Sequence, residues 1–133
     1  MFANVLCVAV GGAIGSVARY LLSLSLNPAS GGLPIGTLVI NVVGSVAFGA
    51  IAGLAVESRL IPETLRVALL AGVLGGFTTY STFAHESWAL AAGGAPRLAL
   101  LYVVATTVLC IVGAWAAFQL AAAIARSGGG ASG

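Results

Sequence analysis

Long apolar runs alternate four times with short polar, glycine-rich or proline-rich interruptions. The first run extends from about Ala3 to Leu26 and stops at Asn27-Pro28-Ala29-Ser30-Gly31-Gly32, a plain loop sequence. The second extends from about Pro34 to Val56, the third from about Pro62 to Gly93-Gly94, and the fourth from about Pro96 to Arg126. A membrane-spanning helix needs about 20 predominantly apolar residues, so each run is long enough to span. Such continuous runs exclude a transmembrane β-barrel, whose strands alternate in polarity over about 10 residues. Pro34, Pro62 and Pro96 each stand where a helix begins, a position that tolerates a residue without an N–H. The pattern predicts an all-α integral membrane protein with four transmembrane helices in residues 1–126 and a disordered, low-complexity tail at 127–133. The first run is too long for a signal-peptide core and no Lys or Arg precedes it, so it is expected to be retained.

The third run departs from a simple span. It is long, and its middle reads Gly75-Gly76-Phe77-Thr78-Thr79-Tyr80-Ser81-Thr82-Phe83. Two glycines followed by a cluster of hydroxyls predict a helix broken near the bilayer midplane. Non-helical backbone survives at that depth only when it is buried in protein or lines a cavity.

Composition sharpens the class. The 133 residues are 60% hydrophobic and 6% charged, against about 25% charged in soluble domains. There is no Lys and no Asp, and no basic run or patch, so no nucleic acid is expected as a partner. Arg59, Arg66 and Arg126 would lie on one side of the membrane, with Arg97 and Arg19 on the other. That imbalance is too small to choose an orientation. Either other features set the topology, or both orientations form and the working unit is an antiparallel dimer. Four helices also enclose little volume, so an oligomer is expected. Gly11/Gly15, Gly49/Gly53 and Gly72/Gly76 have the spacing that lets helix backbones approach closely. Cys7 and Cys110 fall at different depths of their runs and are expected as two free thiols.

Buried polar groups are costly in a membrane, which makes each a candidate site. Thr37, Asn41 and Ser45 form a stripe at i, i+4, i+8, followed by Phe48; Tyr102, Thr106 and Cys110 form another. Thr79, Thr82/Phe83 and Glu86 share a face, and Tyr80 and Phe83 are i, i+3 neighbours. Asn41 either glues two helices or donates to an ion. Arg19 either snorkels to an interface or faces an aqueous vestibule. His85 is expected to be structural. No second His, carboxylate pair or phosphate-cradling loop points to an enzyme. Neutral donors plus one cation suit a small anion.

Three motifs in order carry a family resemblance: Gly15-Ser16-Val17-Ala18-Arg19-Tyr20; Gly36-Thr37-Leu38 with Asn41 and Gly44-Ser45; and Thr78-Thr79-Tyr80-Ser81-Thr82-Phe83. Over nearly its whole length the chain resembles the Fluc (CrcB-like) fluoride channels. The resemblance implies an antiparallel, dual-topology homodimer in the cell (inner) membrane, with two fluoride pores that passively export cytoplasmic fluoride. It implies a structural sodium ion on the two-fold axis, held by the main-chain carbonyls of Gly75 and Thr78. It also implies that Tyr80 and Phe83 line the ion path, that Asn41 donates to it and that Arg19 faces its vestibule. Thr79, Ser81, Thr82, Tyr102 and Thr106 would complete a polar track. Tyr80 departs from the phenylalanine usual at that position in the family, and Cys110 stands where a small hydroxyl residue is expected. The alternative is a small multidrug-resistance-type exporter, also a dual-topology dimer of four-helix chains. Such an exporter needs a carboxylate in its first helix, where this chain has Arg19. A purely structural membrane protein would need neither the polar stripes nor the broken helix.

Overall fold

The computed structural model describes residues 2–26, 32–57 and 61–129. Most of the expected first loop, Arg59 and the last four residues of the expected tail lie outside these ranges. The elements are α1 (Phe2–Leu26), α2 (Ile35–Glu57), α3 (Glu63–Val67), a π-helical stretch (Ala68–Leu74), α4 (Gly75–Phe77), α5 (Tyr80–Ala92) and α6 (Pro96–Gly129). Together they make four spans long and apolar enough to cross a membrane, with α3 to α5 forming the third. Large apolar side chains such as Val10, Ile14, Leu101, Val112 and Trp115 are exposed, as contact with lipid requires.

The helix ends follow the expected punctuation. The carbonyls of Pro34 and Pro62 accept the first bonds of their helices, from Leu38 N at 3.2 Å and Arg66 N at 3.0 Å. At the other end of the third span, Gly94 adopts φ +87°. Gly94 N donates to Ala91 O and Ala95 N to Leu90 O, the paired bonds that close a helix through a left-handed glycine. The last helix runs further than expected. Residues 127–129 belong to α6 and not to a disordered tail, because no Pro interrupts the ladder and Ser127 Oγ bonds back to Ile124 O at 2.9 Å.

Small residues set the packing. α2 packs most extensively on α6, while α1 packs on the π-helical stretch and α4. A Cβ on Gly49 would strike the carbonyl oxygen of Ala114, and one on Gly53 would lie 2.5 Å from Phe118 O. Gly11 and Gly15 of α1 likewise face the backbone of Gly72, Val73 and Phe77. Close backbone approach between small residues is the main packing device when lipid removes the hydrophobic drive between helices.

The third span breaks at Thr78 (φ −78°, ψ 158°) and Thr79 (φ −149°, ψ 114°), both extended. Asn41 of α2 spans the break. Its Oδ1 accepts from Thr79 N at 2.8 Å, and its Nδ2 donates to Thr79 O at 3.0 Å. Thr79 in turn caps α5, its Oγ1 accepting from Thr82 N at 3.3 Å. In an uninterrupted α-helix, Thr79 N would bond to Gly75 O, and Thr82 N to Thr78 O. Both donors turn to side chains instead, which takes from the Gly75 and Thr78 carbonyls their usual helical partners.

Two stability effects follow. Gly49→Ala should destabilise the protein by roughly 1–3 kcal/mol through overpacking. Gly12→Ala meets only Gly72 O, at 3.9 Å, and should be neutral or slightly stabilising. Thermal melting in detergent reports both, and equal melting shifts would contradict the packing described. Asn41→Leu leaves the N–H and C=O of Thr79 without partners, each costing about 1–3 kcal/mol. A melting temperature equal to wild type for Asn41→Leu would show that the clamp contributes nothing.

Candidate functional site

The break separates two cavities, and Thr79 lines both. The first, of about 440 Å³, lies between α2, the break and α6; its walls include Asn41, Ser45, Gly75, Thr78, Tyr80, Phe83, Thr106 and Cys110. The second, of about 300 Å³, lies against α1 and is lined by Ser16, Arg19, Tyr20, Ser23, Thr79 and Thr82. Arg19 is half-buried there among hydroxyl groups.

At the break the hydroxyls form a connected set. Thr79 Oγ1 donates to Thr82 Oγ1 at 2.9 Å, and Thr78 Oγ1 donates back to Leu74 O at 3.0 Å. Across the first cavity, Thr106 is only 3% exposed, and its Oγ1 finds no hydrogen-bond partner among the described residues. A buried hydroxyl left unpaired costs about 1–3 kcal/mol. An acceptor entering the cavity would remove that cost.

The aromatic residues form a tilted row. Phe83, 8% exposed, packs between Tyr80 (ring centroids 5.8 Å apart, 57° between planes) and Tyr102 (5.3 Å, 54°). Tyr80 is 80% exposed yet lines the first cavity beside Phe83. Ring edges carry partial positive charge and tolerate an anion.

Beneath this row is a hub that the sequence did not single out. Glu86 Oε1 accepts from Thr37 Oγ1 at 2.9 Å, and Glu86 Oε2 accepts from Tyr102 OH at 2.8 Å. One carboxylate thereby ties α5 to α2 and α6, and both hydroxyl donors are fully buried. Tyr102 supports the site through this hub and lines neither cavity. Two hydroxyl stripes converging on one carboxylate was the available signal, since buried donors need an acceptor. Ser81 is exposed and also lines neither cavity. His85 is exposed beside Trp88, with ring centroids 6.2 Å apart. The remaining expected residues, Arg19, Asn41, Gly75, Thr78, Thr79, Tyr80, Thr82, Phe83 and Thr106, gather around the break.

The site therefore offers hydroxyl and amide donors, ring edges and one guanidinium, and the positive end of α5 begins there. Its one carboxylate is already occupied by two donors. This favours a small anion over a cation.

Known proteins agree in sequence over most of the chain. The family model described as CrcB-like protein, Camphor Resistance (CrcB), matches residues 6–118. The fluoride-specific ion channel FluC of Geobacter sulfurreducens is 43% identical over 119 residues, covering 89% of this chain and 96% of that protein. The proteins of the same name from an Anaeromyxobacter species and a Methylobacterium species are 45% and 39% identical, covering 89% and 88% of this chain and 94% of each relative. A four-span membrane protein with a broken third span and matching sequence over this length belongs to the CrcB-like family.

Proposed function

We propose that this chain forms a passive, fluoride-selective channel. The observation that carries the reading is the position of Thr79. Its extended backbone lies between a cavity holding Arg19 and a cavity holding the unpaired Thr106 hydroxyl, in a chain whose relatives are named fluoride-specific channels. Arg19 draws an anion into the second cavity. Thr82 Oγ1, which accepts from Thr79 Oγ1, keeps its own hydrogen and donates to the anion as water is shed. The edges of Tyr80 and Phe83 then face it without a full charge to trap it, and Thr106 supplies the next hydroxyl. Asn41 keeps one Nδ2 hydrogen beyond the bond to Thr79 O, so it can hold the break and still donate. Conduction needs binding weak enough to release the ion, which neutral donors provide.

The working unit in this reading is an antiparallel, dual-topology homodimer with two pores, set in the cell inner membrane. The near-balanced arginines support it, as does Tyr80, a pore residue that one chain leaves largely uncovered. A structural sodium ion fits the break: the Gly75 and Thr78 carbonyls have lost their helical donors, and oxygen ligands suit a hard cation. Two such carbonyls from each chain would hold it on the two-fold axis, and its charge would hold the two breaks together. No energy coupling is needed. Hydrogen fluoride enters neutral and ionises inside, and a membrane potential of ~100 mV is worth ~2.3 kcal/mol per charge, roughly a fiftyfold gradient.

Proteoliposomes loaded with fluoride should empty on addition of a potassium ionophore, while chloride-loaded ones should not. Phe83→Ile keeps the bulk and removes the ring quadrupole, and should reduce the flux to background. Equal fluoride and chloride release would contradict the proposed selectivity, and wild-type flux in Phe83→Ile would move the path away from the rings. Exchange of sodium for a large organic cation should lower the melting temperature. An unchanged melting curve would remove the ion from the reading.

A further inference from the structure

Cys110 is a free, half-buried thiol on the wall of the first cavity, whereas Cys7 lines neither cavity. One turn before it on the same face of α6 stands Thr106, buried, without a hydrogen-bond partner among the described residues, and lining the same cavity. An unpaired buried hydroxyl there is a donor left for whatever enters the cavity, and the thiol sits about 6 Å along the helix from it. We propose that Cys110 is a covalent modification site inside the ion path, accepting small uncharged disulfide-forming electrophiles, and that its modification closes the channel. The inference rests on the channel reading above.

The chemistry is thiol–disulfide exchange. With methyl methanethiosulfonate, the Cys110 thiol loses its proton to water and the thiolate sulfur attacks the methylthio sulfur of the reagent. A sulfur–sulfur bond forms, the bond to the sulfonyl sulfur breaks, and methanesulfinate leaves with the electron pair. The added methylthio group carries no hydrogen-bond donor and is long enough to reach toward Thr106 across one turn. It displaces the ion that would accept from Thr106 Oγ1. The cavity walls are otherwise mostly hydroxyl, glycine and aromatic residues, so Cys110 is their one thiol.

The test uses full-length protein in proteoliposomes, with fluoride efflux and intact mass read before and after methyl methanethiosulfonate. In Cys7→Ala, whose remaining thiol is Cys110, the mass should show one methylthio group per chain. Flux should fall by about one to two orders of magnitude, the range expected for losing one hydrogen bond to a charged group, and dithiothreitol should restore it. In Cys110→Ser, the ratio of flux after reagent to flux before should stay near one. Absence of the added group, addition with unchanged flux, or inhibition that persists in Cys110→Ser would each overturn the inference. Should Cys110→Ser fail to fold, the labelling, flux and reversal of Cys7→Ala decide alone. Wild-type protein that carries no fluoride before the reagent is added would overturn the channel reading, and this inference with it.

Discussion

Everything at the site depends on two hydrogen bonds between the Asn41 side chain and the backbone of Thr79. A helix broken within the membrane exposes N–H and C=O groups that lipid cannot satisfy. An asparagine amide offers one acceptor and two donors, the right complement for an extended residue whose N–H and C=O have both left the ladder. By taking Thr79 N–H, Asn41 makes the break tolerable. It also removes the helical partner of Gly75 O, while the Thr79 hydroxyl does the same to Thr78 O by capping Thr82. The clamp stabilises the gap and determines which backbone groups line it.

The rest of the fold holds that clamp in register. Glycine contacts between α2 and α6 fix the height of Asn41, and Glu86 locks α5 below the break through Thr37 and Tyr102. α1, packed on the π-helical stretch and α4 through Gly11 and Gly15, brings Arg19 to the far side of Thr79. The same sequence device, a small residue at each backbone crossing, thus serves both packing and the placement of a charge.

The four spans were legible because lipid demands long apolar runs and because Pro34, Pro62, Pro96 and Gly94 punctuate them. The break was legible in outline from two glycines before a hydroxyl cluster, but the glycines stay helical, Gly76 packs against Gly12, and the extended residues are Thr78 and Thr79. Less could be read about partners. The stripe pattern placed Asn41 on a polar face but left open whether it glued helices or met an ion, and its target proved to be backbone, which no periodicity reports. The role of Glu86 depends on three helices converging, a tertiary fact. The π-helical widening over Ala68–Leu74 has no marker in a plain apolar segment, and the end of α6 was placed early because its glycine-rich tail looked unstructured.

Hydrogen exchange at the Thr79 backbone amide tests the clamp most directly. Measured by NMR on detergent-solubilised protein, Thr79 N–H should exchange as slowly as the interior amides of α5, although it lies outside any helix. In Asn41→Leu that protection should vanish while the interior amides of α2 and α6 stay protected. Fast exchange of Thr79 in the wild type, or protection that survives in Asn41→Leu, would contradict the central role given to Asn41.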